Sequence, residues 1–228
     1  MMIESAMGGA MGGPKRGRTR ERILDLTLAL FNDRSPERVT TAEIARTAGI
    51  NEGNLYYHFR TKESLVLALF ARFEDEAGAL ADRGAPPSPG EARTYGEFLA
   101  SWFAIVWRYR FLFRDLLALA AESPSLVEPI RALSGRMRVA VEALVRRMMA
   151  DGLVVIPEED LPAILANVWI VSTYWAVYLS LQEGVDRLDD THLGWGLNQV
   201  SSLFRPYLTP SARDALFSAS EPGDPPAV

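Results

Sequence analysis

Apolar residues in this 228-residue chain recur every three to four positions, so the pattern predicts helices almost throughout. Ile23, Leu26, Thr27, Leu30 and Phe31 share one face of a helix over residues 19–32, which Ser35-Pro36 breaks. Thr40 opens the next helix with a capping box. Its hydroxyl accepts from the backbone three residues on while Glu43 reaches back, and Ile44, Ala45 and Ala48 face inward. Gly49 stands where a helix end needs a left-handed residue, and Ile50 follows as the apolar residue that closes the turn. Asn51 then caps a second short helix over 52–59 that buries Leu55 and Phe59. Thr61 is the N-cap of a longer helix through Leu65, Leu69 and Phe73 to about residue 81. It ends at the break DRGAPPSPGEA, whose prolines and glycines cannot continue it.

Two short helices about a glycine turn occur in many helical proteins, but here the second begins with Glu52, Gly53 and Asn54. A small, polar N-terminus is what a major groove admits. The run TAEIARTAGINEGNLYYHFRTKESL, above all Leu55-Tyr56-Tyr57-His58-Phe59 followed by Lys62 and Glu63, resembles the DNA-binding segment of TetR-type transcriptional regulators. By motif the resemblance covers residues 18 to 72; beyond them it rests on length and helical layout. It implies that Tyr56 and His58 bond phosphate, that Lys62 clamps the backbone from the next helix start, and that Glu52, Gly53 and Asn54 read bases with Thr41 and Ala42 nearby; Thr40 and Tyr57 are further candidate DNA contacts. Two positions depart from the pattern. Ala42 has no group to bond a base, and Glu52 repels phosphate unless it accepts from a cytosine amino group. Asn54 and Tyr57 therefore carry more of the base contact.

Charge supports that placement. The net charge is −5, yet residues 14–72 hold eleven basic and seven acidic side chains, whereas the remainder holds thirteen basic and twenty-two acidic. Only the first module offers phosphate a favourable field. The glycine-rich leader has no apolar core of the secretory kind. Its Lys15, Arg16, Arg18 and Arg20 form a short basic stretch, either an arm suited to a minor groove or neighbouring phosphates or a solvated leader whose charges touch nothing. The expected organisation is a disordered basic leader over 1–17, a helix-turn-helix domain over 18–64, a helical effector and dimerisation domain over 65–218, and a disordered tail over 219–228. The absence of cysteine suits a reducing cytoplasm.

Beyond the break, helices are predicted over 95–109, 111–121, 126–150, 161–183 and 191–207. Val154-Val155-Ile156 is too short for a sheet, so the fold class is all-α: a three-helix helix-turn-helix domain followed by a larger helical domain. The segment LPAILANVWIVSTYWAVYLSLQ has no charge over a bilayer-spanning length, but polar residues dilute it and no basic cluster flanks it. A helix apolar all round needs many neighbours, and a second copy of the chain supplies them. The expected interface is Trp169, Ile170, Tyr174, Val177 and Leu181, with Trp195, Leu203 and Phe204 from the last helix. A homodimer sets two reading heads about one DNA turn apart, ~34 Å, matching a palindromic operator.

Aromatics crowd this second module, and such residues can line an apolar pocket with a few polar groups to orient a guest. The candidates are Trp102, Phe103, Trp107, Phe113, Met148, Tyr174 and Tyr178. The resemblance implies a small-molecule effector there whose binding alters the spacing of the heads. No catalytic residue, metal site or cofactor is expected: the two histidines, His58 and His192, lack partners at metal-ligand spacing, and no phosphate loop or nucleophile elbow occurs. Two functions follow. One is a repressor released from its operator by a small, largely apolar ligand. The other is a ligand-independent, DNA-bound scaffold recruiting a protein partner. An enclosed apolar cavity favours the first; a solid core favours the second.

Overall fold

The computed structural model describes residues 13–83, 92–185 and 188–217. Residues 84–91 of the expected break, the start of the leader and the tail lie outside them, while the ends of that break fall in helices. Among the described residues the chain is all-α, with helices α1 (Gly13–Arg34), α2 (Thr41–Thr47), α3 (Glu52–His58), α4 (Lys62–Arg83), α5 (Ala92–Arg108), α6 (Arg110–Arg114), α7 (Leu116–Glu122), α8 (Val127–Ala150), α9 (Leu161–Gln182), α10 (Asp190–Phe204) and α11 (Pro210–Phe217). The chain divides into two compact units, and the division falls within α4, between Leu69 and Phe70.

In the first unit, α1 buries Ile23, Leu24, Thr27 and Phe31 completely, whereas Leu26 and Leu30 are only partly covered. Thr27 is tolerated there because its hydroxyl donates to the Ile23 carbonyl at 2.8 Å. Helix α1 starts at Gly13, so Lys15, Arg16, Arg18 and Arg20 sit on its first turns and are not part of an irregular leader. Ser35 ends the helix at φ 70°, its N–H bonded to Phe31 O at 3.1 Å. A left-handed residue is needed at that corner, and serine fills it at a cost that glycine would not carry.

Helix α2 stops by a Schellman closure. The Ile50 N–H reaches Ala45 O, the Gly49 N–H reaches Arg46 O, both at 3.0 Å, and Gly49 has φ 63°. The Asn51 side chain accepts from the Asn54 N–H at 2.7 Å and starts α3. Thr61 and Ser64 form a reciprocal cap at the start of α4, each hydroxyl accepting the other's backbone N–H. Leu55, Phe59, Leu65 and Leu69 close the core from below.

In the second unit, two expected helices are subdivided. Residues 111–121 split at Asp115 into the end of α6 and α7, and the C-terminal run 191–207 ends as α10 followed by a 3-10 turn at Arg205–Tyr207. The β-branched run makes a single antiparallel bridge, Val154 to Leu208, flanked by Val155 N–H to Tyr207 O and Thr209 N–H to Leu153 O. It pins the chain after α10 to the loop after α8. His192, expected to stand alone, closes a capping box with Asp189 at the start of α10. Helix α10 packs along α9 and α5 through Gly196: a Cβ at that site would lie 2.8 Å from the Trp175 ring and 2.9 Å from the Phe103 ring. Those rings stack on each other, 6.0 Å between centroids and 25° between planes.

Two substitutions of opposite sign follow. Gly196→Ala pushes a methyl into two buried rings that cannot rotate away, and it should cost about 2 kcal/mol in denaturant unfolding. Ser35→Gly relieves a left-handed serine and should raise stability by about 0.5–1 kcal/mol, read as an upward shift in Tm.

Candidate nucleic-acid interface

The outer side of the α2–α3 pair gathers the residues expected to meet DNA. Glu52, Gly53, Asn54, Tyr56 and Tyr57 are all exposed, while Leu55 between them is fully buried. Burial of Leu55 fixes the rotation of α3 and so dictates which side chains face outward. Tyr56 and Tyr57 are 44% and 61% exposed, large for aromatics. Tyr57 packs edge-on against His58, 5.3 Å between centroids.

A small polar network ties the two helices together on this face. Thr41 Oγ1 lies 3.1 Å from the Tyr56 hydroxyl and 3.4 Å from Glu52 Oε2, so three candidate DNA contacts are linked before any DNA arrives. Thr40 is the N-cap of α2, its hydroxyl accepting from Glu43 N–H at 3.2 Å. The carboxylate of Glu43 does not complete the expected box. It accepts from Arg34 Nη2 at 2.6 Å, an ion pair that ties the end of α1 to α2 and raises the Arg34 pKa, first through the hydrogen bond and then through charge. Arg20 is also engaged: its guanidinium sits 4.9 Å from the centre of the Phe59 ring. Gly53 lies in the first turn of α3, where neither a positive φ nor crowding demands glycine; a Cβ there would meet only Asn51 Oδ1, at 3.5 Å. A helical glycine costs about 1 kcal/mol against alanine, so packing within the chain does not account for it.

Lys62 is half-buried, and its ammonium donates to Pro36 O at 2.8 Å and Val39 O at 3.4 Å. It anchors the loop between α1 and α2 to the start of α4. The pattern of the sequence held no sign of this, because the acceptors are main-chain atoms more than twenty positions away.

The second unit contains an apolar cavity of about 1050 Å³ lined by α5, α8, α9 and the end of α10. Of the expected pocket residues Trp102 and Met148 line it, and Phe113 packs edge-on against Trp102, 6.2 Å between centroids. Phe103 and Trp107 do not line it; they stack on Trp175. Tyr174 and Tyr178 do not line it either and face outward, 43% and 46% exposed. Trp169 and Phe204, expected at a subunit interface, line the cavity, with Trp169 5.9 Å from Trp102. The reason is helical phase: position 169 shares its face with 161, 165, 168 and 172, all of which line the cavity, while 170, 174 and 181 lie on the opposite side. Tyr95, also in the lining, donates to Asp151 at 2.5 Å. Burial, and then that carboxylate, push its phenol up to about 12, so it remains a hydrogen-bond donor at neutral pH.

The exposed stripe on α9 is Ile170, Tyr174, Tyr178 and Leu181, with Val177 half-buried beside it. Trp195 of α10 extends the stripe by stacking on Tyr178 at 5.8 Å with planes 9° apart, and Leu203 is half-buried on the same helix. By length and composition α9 could cross a bilayer.

A capped helix pair with an outward polar face, joined in sequence to a larger helical unit with an apolar cavity, defines a DNA-binding transcriptional regulator. Comparison with known proteins agrees. A family profile described as bacterial regulatory proteins, tetR family, matches residues 23–69, and one described as a TetR bacterial transcriptional repressor matches residues 72–216. The chain belongs to the TetR family. It is 34% identical to a TetR-family transcriptional regulator from Marinobacter aquaeolei VT8, with a TM-score of 0.77 over 86% of this chain and 94% of that one. It is also 36% identical over 92 residues to the HTH-type transcriptional repressor KstR2 of Mycolicibacterium smegmatis, covering 40% of this chain and 44% of that protein. The KstR2 of Rhodococcus jostii is 42% identical over 62 residues, 27% of this chain and 30% of that protein. The chain thus spans less than half the length of these curated relatives. They are regulators and not enzymes.

Lys62→Ala separates two roles for that lysine. As a loop anchor its loss should destabilise the first unit by about 1–2 kcal/mol and weaken DNA binding with an unchanged salt dependence. A direct phosphate contact would instead lower the slope of log K against log salt by about 1.

Proposed function

We propose that this protein is a repressor that binds a palindromic operator as a homodimer in the cytoplasm and is released by a small, largely apolar ligand. The observation that carries this is the cavity of about 1050 Å³ in the same chain as an outward-facing helix-turn-helix. Its size is at the upper end of small-molecule sites; it is a cleft partly open to solvent, with Val139 of its lining 65% exposed, and so not the fully enclosed cavity expected, but neither is it the solid core that favours a scaffold. In this account Asn54 and Tyr57 read base edges, Tyr56 and His58 bond phosphate, and Glu52 accepts from a cytosine amino group. Gly53 lets the backbone of α3 approach a base pair closely. The exposed stripe of α9 with Trp195 and Leu203 is the dimer face. Covering it with a second copy accounts for four large apolar side chains in water more economically than a membrane does.

Release needs no chemistry. A ligand that binds better to dimers whose two heads are wrongly spaced lowers DNA affinity by that difference in affinity alone. The test begins with selection of bound sites from random duplex DNA, which should return an inverted repeat with half-sites about one helical turn apart. On the selected site and on scrambled duplexes, Tyr56→Phe should weaken binding to all alike, whereas Asn54→Ala should flatten preference at one base position by about 1–3 kcal/mol. Equal loss on every duplex from Asn54→Ala would contradict its assignment.

A further inference from the structure

The cavity is not uniformly apolar, and its charges are unevenly compensated. Its lining along α8 runs from Ile130 to Met148, a rise of about 27 Å, so the space is long rather than round. Carbon dominates that length, with Phe98, Leu99, Trp102, Val145, Val168 and Trp169 among the walls. Three arginines of α8 border it: Arg131, Arg138 and Arg146. Arg146 is neutralised by Glu142 at 2.9 Å and Glu158 at 3.1 Å, the two carboxylates of the lining. Those two hydrogen bonds raise its pKa. Arg131 and Arg138 form no ion pair or hydrogen bond among the described residues. They stand seven positions apart, two turns of one helix, so both side chains leave the same face of α8, in the N-terminal half of the stretch that lines the cavity. Ser134 and Gly135 fill the turn between them and leave the approach open.

We infer that the effector of this regulator is an anionic amphiphile: a carboxylate head held by Arg131 and Arg138, and an extended apolar chain laid along α8 against Trp102 and Trp169. The inference rests on the reading of this cavity as the effector site and adds the chemical class of the guest. A guanidinium fork offers paired donors matched to a carboxylate, and two unpaired forks bordering an apolar trough discriminate against neutral and cationic heads on the same chain. Around Arg146 two carboxylates face one guanidinium, so that part of the lining is net negative and repels an anion.

The experiment compares dodecanoate, dodecanol and dodecyltrimethylammonium, below their micelle-forming concentrations, against the full-length protein. Occupancy is read from tryptophan emission, since Trp102 and Trp169 line the cavity, and heats of binding are measured in parallel. Dodecanoate should bind about tenfold more tightly than dodecanol, and the cation most weakly. In the Arg131→Gln/Arg138→Gln protein, dodecanoate should fall to the level of dodecanol while dodecanol itself is unchanged. Equal binding of acid and alcohol to the native protein would overturn the anionic head and leave the apolar effector site standing. An acid preference that survives the double substitution would overturn the assignment to these two arginines. Failure of all three probes to bind would overturn the inference and remove the cavity as support for a ligand-released repressor.

Discussion

Helices α2 and α3 have seven residues each, too few to persist alone in water, so everything that faces DNA depends on how their ends and undersides are held. The turn between them is over-determined. A left-handed glycine, two backbone closures and an asparagine cap satisfy the amides that short helices would otherwise expose. Beneath it, Ile44, Ala45, Ala48, Leu55 and Phe59 fix the rotation of both helices against α1 and the first turns of α4. The outward row of Glu52, Gly53, Asn54 and Tyr57 is the consequence of that packing. Three further ties stiffen the frame: Arg34 to Glu43, Arg20 over Phe59, and Lys62 to the loop carbonyls. A head assembled this way meets DNA with its side chains already placed, which spares the ordering cost that a flexible segment would incur on binding.

The second unit solves a different problem. It encloses part of a long apolar space between helices, and the packing behind its walls is aromatic. Trp175 lies stacked against Phe103 and Trp107, and Gly196 admits α10 close against those rings. Helix α9 serves two surfaces at once, which explains why its sequence is apolar all round. One face closes the cavity through Leu161, Leu165, Val168 and Trp169, and the other presents Ile170, Tyr174, Tyr178 and Leu181 outward. A bilayer-length apolar segment here thus carries one face that lines the cavity and one that points outward, on a single helix.

The local features were legible in the sequence because their causes are local. The N-caps at Thr40, Asn51 and Thr61, the left-handed Gly49, and the buried Leu55 and Phe59 each follow from a few adjacent residues, and so do the all-α class and the family. What helical spacing could not assign was the partner of each apolar face. Trp169 and Ile170 are neighbours in sequence with equal claims to either surface, yet one lines the cavity and the other is half-exposed. Phe103 and Trp107 read as pocket residues by composition but are spent on stacking with Trp175.

The sequence by itself determined where helices begin and end around the reading head and which short row of side chains leaves it, since capping and periodicity act over three or four residues. Tertiary structure decided what distant groups do to one another. It turned Glu43 from a cap into the partner of Arg34 and aimed Lys62 at carbonyls on a preceding loop. It also left Arg131 and Arg138 without an ion pair beside a cavity while supplying Arg146 with two carboxylates. Charge pairing and cavity shape are long-range properties of the folded chain, set by which surfaces the core brings within a few ångströms, and no local pattern encodes them.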